Sequence, residues 1–481
     1  MKPSVLGHGI GCRLRPDSSI AALVGHQLVQ HLLMIRPFSS IVRSLLIAFA
    51  VGLVAMSTTQ VVAAQDVTVF KGATLLPITS DPIENGVLVV EGSRIRSLGP
   101  EAAVRYPSDA TVIDVSGTVL MPGLVDTHSH LGGVQGGDAS AALHPDVRTL
   151  DAINVRSKTF NRARAGGITT LNVMSGSGHL MSGQTTYLKS RKVGTIGEAL
   201  FCADPLTEVC GGMKMANGTN SIRSNRDAFP GTRARSAAMA RRLFFEALDY
   251  RQKIQQAQND PAKMPARDIR LEAVLEVIDG RRIVQFHTHR HDDILTAIRL
   301  SREFGFRMVL HHVSEAWKVA EEIGEAGIPC SVIVIDSPGG KLEAAELSFE
   351  TGAALEAAGV TVAFHTDDYI TDSRLFLRSA AFGVRGGMSR QKALESVTIA
   401  GATMLGLDDR VGSLEPGKDA DFVILSGDPL SVYTKVEQTW IDGVKVFDLD
   451  NADDRAYALG GYDVYTEPFE FQHEALGEWG N

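Results

Sequence analysis

Between about residue 120 and residue 405 the sequence alternates strand-like apolar runs with helix-spaced patterns, and this alternation restricts the fold more than any other feature. "RIVQFH" is followed by "DDILTAIRLSREFG", "FRMVLHH" by "AWKVAEEIGEAG", and then comes "IPCSVIVI". Earlier, a helical stretch from Leu150 to Arg164, with Ile153, Phe160 and Ala163 spaced for one face, leads through Gly166 and Gly167 into "ITTLNVM". Units of this kind build a parallel sheet, because a parallel return requires a crossover segment. In such sheets, open or closed, the functional residues gather at the C-terminal ends of the strands. The predicted class is α/β, with a (β/α)8 TIM-type barrel over 120–405.

The flanks read differently. From Asp66 to about Val119, "VTVFKGATLLPI", "GVLVVEGSRIRSLG" and "ATVIDVSGTVL" are short β segments punctuated by Gly86, Gly92, Gly99 and Gly117. The pattern returns within 406–448, in "DADFVILSGDP" and "VEQTWIDGVKVFD". Two strand sets around a long middle section predict a small β-sandwich domain assembled from 66–119 and 406–448. The acidic tail, 449–481, has weak apolar periodicity and stays unassigned.

The N-terminus reads as an address. Arg36 and Arg43 precede the apolar run "LLIAFAVGLVAM" (Leu45 to Met56), and "VVAAQ" offers small residues for cleavage after Ala64. Residues 1–64 are therefore expected to be a signal peptide with an upstream extension, a start at Met34 giving one of ordinary length. The apolar run falls short of the ~20 residues of a membrane span, so no stable membrane anchor is expected after cleavage. The expected location is periplasmic or secreted. Without residues 1–64 the chain keeps 42 basic and 55 acidic residues, a formal charge of −13, which argues against nucleic acid as a partner. Of the cysteines that remain, Cys202 and Cys210 lie close in "FCADPLTEVCGG", and an oxidising compartment allows either a loop-closing disulfide or two unpaired thiols there.

The chemistry is legible at the strand ends. "LMPGLVDTHSHL" stops on His128 and His130, which a strand's period of two points to one side, a spacing suited to gripping one ion. A pair of partly buried, hydrogen-bonded histidines would satisfy the same pattern. Other predicted strands end alike: "RIVQFHTH" on His287, "MVLHH" on His311 and His312, and "VTVAFHTDD" on His365, Asp367 and Asp368. Their separations match one or two βα units, which brings these ends to one rim. Imidazole and carboxylate donors suit zinc, manganese or a related divalent ion.

Three stretches, "VLMPGLVDTHSHL", "FHTHRHDDI" with "MVLHHVSEAWK", and "TIAGATMLGLDDRVGSLEPGKDADFVIL", make the chain resemble the amidohydrolase superfamily, and within it the imidazolonepropionase-like metal-dependent amidohydrolases. The resemblance implies that His128 and His130 bind one metal, His287 and His312 a second, and that Asp367 binds the first and acts as general base. A bound ion lowers the pKa of water toward roughly 7 and polarises the carbonyl under attack. A carboxylate beside that water can take its proton and later donate to the leaving amine. In the resembling two-metal enzymes a carboxylated lysine bridges the ions, and "GGMKMANGTN" offers Lys214 for this role. Lys214 then requires the segment with "RSAAMARRLFFEALDYRQKIQQ" to be an inserted helical excursion. Glu272 is the competing bridge, although Leu271, Leu275 and Ile278 around it repeat at helical spacing.

Among the neighbours, His289 and His291 share the parity of His287, His365 shares that of Asp367, and His179 sits in the Gly/Ser-rich "MSGSGHLMSGQ", a rim loop. His179, His289 and His365 are candidate substrate contacts, with structural roles as the alternative. His311 is expected to point away from His312. The function implied is an exported hydrolase of a small-molecule amide, cyclic amide or dipeptide-like carbon–nitrogen bond through metal-activated hydroxide, with two divalent ions, zinc foremost. A deaminase of a ring compound and a catalytically inactive periplasmic metal- or ligand-binding protein are the alternatives.

Overall fold

The strands of the computed structural model fall into three sheets. The residues described are 66–134, 136–223, 228–333, 341–368, 370–461 and 464; the expected signal peptide (1–64) and the end of the acidic tail lie outside them. From the N-terminal side come β1 (Val67–Leu75), β2 (Ile83–Glu91), β3 (Arg94–Pro100), β4 (Thr111–Asp114) and β5 (Val119–Pro122). The middle section holds β6 (Leu124–Ser129), β7 (Ile168–Val173), β8 (Met181–Gln184), β9 (Thr186–Lys189), β10 (Met213–Ala216), β11 (Val284–Thr288), β12 (Met308–His312), β13 (Cys330–Val332) and β14 (Val362–Phe364). The last three strands are β15 (Phe422–Leu425), β16 (Val436–Ile441) and β17 (Val444–Asp448).

Strands from both chain ends hydrogen-bond into one eight-stranded sheet, with β15 antiparallel to β5 joining the two sets. One of its faces buries Phe70, Leu88, Phe422 and Trp440, and the three aromatic rings among them meet edge-on or stacked within 5.7 Å. The other buries Val69, Val87, Val89 and Val104, so the period of two in β1 and β2 serves two apolar faces.

In the middle section β10 to β14 run parallel in consecutive order. β6 and β7 pair parallel in a separate three-stranded sheet completed by antiparallel β9. Helices supply the crossovers. The one at His291–Phe304 has Asp292 and Asp293 in its first turn and ends on Gly305 at φ 75°, where a side chain would be strained. The segment between β10 and β11 is a helical excursion, with helices Arg233–Ala257 and Ile269–Ile278 packed together. Glu272 sits on the second helix, paired with Arg267 and far in kind from a strand end. Beyond Asp448, Asn451 caps a helix at Ala452–Leu459.

Cys202 and Cys210 are disulfide-bonded, and Cys330 is a buried free thiol. A bridge closing a loop this short stabilises by roughly 2–3 kcal/mol. Cys210→Ser should lower the urea midpoint accordingly, and titration of denatured, unreduced chains lacking residues 1–64 should find Cys330 alone; three reactive thiols there would refute the bridge.

Candidate metal centre

Parity places most of the site. Along β11, Val284 and Phe286 face the main apolar core while Gln285 and His287 face the other way. Along β6, His128 follows Asp126 at the same parity, and His130 lies just past the strand end. Along β12, Val309 and His311 share a face, and strict alternation would send His312 outward with Leu310. His312 instead adopts φ 68° and the next residue φ 46°, which turns its ring back. His311 and His312 therefore both approach His128, with ring centroids 5.0 and 4.8 Å from it. The expected divergence of His311 from His312 is corrected, because the left-handed turn breaks the strand's period. Asp367, at φ 49°, is likewise held in a sparsely populated conformation next to the chemistry.

Three groups of donors converge. His128, His130 and Asp367 form one, His287, His289 and His312 a second, and His128, His312 and His365 a third, the donor atoms of each lying within 4.8 Å of one another. His130 Nε2 is 2.9 Å and His128 Nε2 3.5 Å from Asp367 Oδ1, and His312 Nδ1 is 3.9 Å from Asp367 Oδ2. The other ring nitrogens are committed: His130 Nδ1 to the Met174 carbonyl at 2.7 Å, His287 Nδ1 to Ser177 Oγ at 2.8 Å, His289 Nδ1 to Ser314 Oγ at 2.6 Å. That leaves Nε2 of His287, His289 and His312 buried without a hydrogen-bond partner among the described residues. Buried polar atoms rarely stay unpaired, and three on the residues of one donor group fit a cation that accepts imidazole nitrogen.

Protonation suits that use. Burial holds His128, His287, His289, His311 and His312 well below the ordinary histidine range, so the rings are neutral and carry lone pairs. For Asp367, burial alone would raise the carboxyl, but the hydrogen bond and charge from His130 outweigh it and keep the group well below the usual carboxylate range. Lys214 on β10 is fully buried, its Nζ 3.1 Å from His128 Nε2 and 3.1 Å from Met174 Sδ. β10 thus carries Lys214 to the histidines.

The remaining candidates separate. His365 is buried, its Nδ1 2.7 Å from Ser331 Oγ and its ring stacked on His128 at 4.9 Å, so it is both hydrogen-bonded and against a donor. His289, expected at most to touch substrate, joins the donors. His179 lies outside all three groups, against Phe229 and His144, with burial first and His144 second lowering it to about 4. His291 pairs with Glu315 at 2.6 Å on the surface. Asp368 is turned from Asp367 and locked by Arg162 at 3.2 Å and by Ser373.

Some residues escape a motif search. Asp126 accepts from the backbone N–H of His128 at 3.2 Å and from the backbone N–H and hydroxyl of Thr366 at 3.1 and 2.5 Å, tying the His-x-His strand to the segment bearing Asp367. Burial pushes its carboxyl up to about 7. Its position two residues before His128 is a parity signal that sequence reasoning had available. Gln285, two residues before His287, is another.

A family model described as "Amidohydrolase family" matches residues 256–447. The amidohydrolase tasK of Hapsidospora irregularis is 29% identical over 394 residues, a match covering 75% of this chain and 40% of the length of that relative. The imidazolonepropionase of Symbiobacterium thermophilum is 25% identical over 386 residues, covering 72% of this chain and 84% of the relative. A solved structure of an amidohydrolase from Thermotoga maritima superposes with a TM-score of 0.74 at 35% identity, covering 79% of this chain and all of the other.

Proposed function

The chain belongs to the amidohydrolase family, and from that premise we propose that it is a metal-dependent hydrolase of small-molecule carbon–nitrogen bonds, with an amide, cyclic amide or dipeptide-like substrate. The observation that carries this reading is the convergence of three buried imidazole nitrogens, without hydrogen-bond partners among the described residues, with the His128, His130 and Asp367 set. We read the middle sheets as one closed (β/α)8-type barrel, supported by the bond from the Asp367 backbone N–H to the His128 carbonyl at 2.9 Å, and the eight-stranded sheet as the sandwich domain.

His128, His130 and Asp367 would hold one divalent ion, and His287 and His312, with His289 beside them, a second. Ions held there would lower the pKa of a water toward neutrality and polarise the scissile carbonyl. The protein's own groups handle the proton. Asp367, kept ionised, takes one proton from the attacking water as oxygen bonds to carbon, then gives it to the leaving nitrogen as the carbon–nitrogen bond breaks. With its Nδ1 hydrogen on the Met174 carbonyl, His130 would turn Nε2 toward the ion that Asp367 shares, which fixes where the carboxylate sits. Two close cations need an anion between them, and Lys214 carboxylated on Nζ by carbon dioxide would supply it.

Lys214→Ala should lose metal and activity together, from about two ions per chain, with short carboxylic acids restoring part of the activity; a fully active two-metal variant would remove Lys214 from the centre. Hydrolysis of N-acyl amino acids, dipeptides or cyclic imides by metal-reconstituted protein tests the substrate class, and ammonia release from ring compounds in their place would make it a deaminase. The export reading rests on Arg36, Arg43 and Leu45 to Met56, and the Cys202–Cys210 bridge supports an oxidising compartment. Among the described residues no helix is long and apolar enough to cross a membrane.

A further inference from the structure

Behind the donors a file of buried side chains leads from His128 into the core. His128 Nδ1 is 3.3 Å from His311 Nδ1, His311 Nε2 is 2.7 Å from Gln285 Oε1, and Gln285 Nε2 is 3.2 Å from the Tyr187 hydroxyl. All four residues are buried, and three are fully so. Register builds the file, since Gln285 pairs with Lys214 across β10 and β11 while His287 pairs with His311 across β11 and β12.

We propose that Gln285 and His311 are positioning residues that set the tautomer of His128, fixing its proton on Nδ1 and leaving the Nε2 lone pair facing the site. The direction follows from both ends. Lys214 Nζ lies 3.1 Å from His128 Nε2, and it bears N–H and no free lone pair whether it is an ammonium or carboxylated, so His128 Nε2 accepts from it. His128 Nδ1 then carries the proton and donates to His311 Nδ1, which must be bare, so the His311 proton sits on Nε2 and donates to Gln285 Oε1. From the other end, the Gln285 amide gives its N–H to Tyr187 and presents its carbonyl to His311, demanding the same order. With the amide reversed, every proton would shift along the file and arrive on His128 Nε2, where it would face Lys214 and block coordination. One amide orientation thus decides whether the first histidine of the pair can ligate.

This inference rests on the reading of His128 as a metal donor. Partners that fix the tautomer of a ligating histidine change metal affinity by about 10–100-fold when removed. The test is zinc affinity of the whole chain, measured by competition with a chromophoric chelator, for wild type, Gln285→Leu and Gln285→Glu, with thermal melting of the apo proteins as a check on folding. Gln285→Leu keeps the volume but offers no acceptor, and should bind zinc about 10–100-fold more weakly. Gln285→Glu keeps an acceptor at the Oε1 position and should stay within a few-fold of wild type. A purely packing role predicts the reverse order, because a buried leucine is benign there and a buried carboxylate is not. Equal affinities, or the reversed order, would overturn the relay, whereas a wild type that binds no zinc would overturn the metal reading beneath it. In ¹⁵N-histidine spectra of the wild type, His311 should show the Nε2-protonated form, and an Nδ1-protonated ring would refute the proposal without any substitution.

Discussion

Asp367→Asn should cut turnover by roughly 10²–10⁴-fold while leaving the fold intact, since that is the usual contribution of a positioned general acid–base group. The amide cannot take the proton that Asp367 is proposed to accept, and it weakens the contact with His130 at 2.9 Å. The fold should survive because Asp367 sits at φ 49°, and asparagine is among the few residues that enter this region readily. Steady-state rates with metal-saturated protein, beside circular dichroism of the same samples, check both halves. Unchanged hydrolysis would remove Asp367 from its role. Asp368→Asn is the informative control. Its carboxylate belongs to Arg162 and Ser373, both buried, so the change should reduce stability first and activity only as far as the Asp367 backbone shifts.

The second large effect lies away from the donors. Lys189, at the end of β9, is fully buried, with Nζ 2.7 Å from Asp419, 2.9 Å from Asp421 and 2.5 Å from Asp442. Asp419 also takes Arg94 and, at 2.8 Å, Arg410. This cluster explains in physical terms the run Gly-Ser-Leu-Glu-Pro-Gly-Lys-Asp-Ala-Asp: two of its aspartates hold the chain leading into β15 against β9. Lys189→Met leaves buried carboxylates without their central cation and should cost ~3–5 kcal/mol of unfolding free energy. Urea denaturation of wild type and variant measures it, and coincident midpoints would show that the cluster contributes nothing net.

What the sequence by itself determined was local and periodic. The alternation of strand and helix patterns, the shared face of His128 and His130, the helical character around Glu272 and the excursion before β11 all follow from side-chain period and apolar spacing, which depend on neighbours a few positions away. The preference for Asp367 over Asp368 comes from the family resemblance; in the structure Asp368 pairs with Arg162. Other features arise only when strands distant in sequence come side by side. His311 and His312 converge because the backbone turns to φ 68° at the strand end, a conformation that nothing in "MVLHH" announces. His289 enters the donor set, Gln285 reaches His311, and Lys189 gathers Asp419, Asp421 and Asp442 from across the chain. Period tells which face a side chain takes, but only sheet register and packing decide what it meets there, because a hydrogen bond or an ion pair is set by distances of about 3 Å between groups that chain order does not bring together.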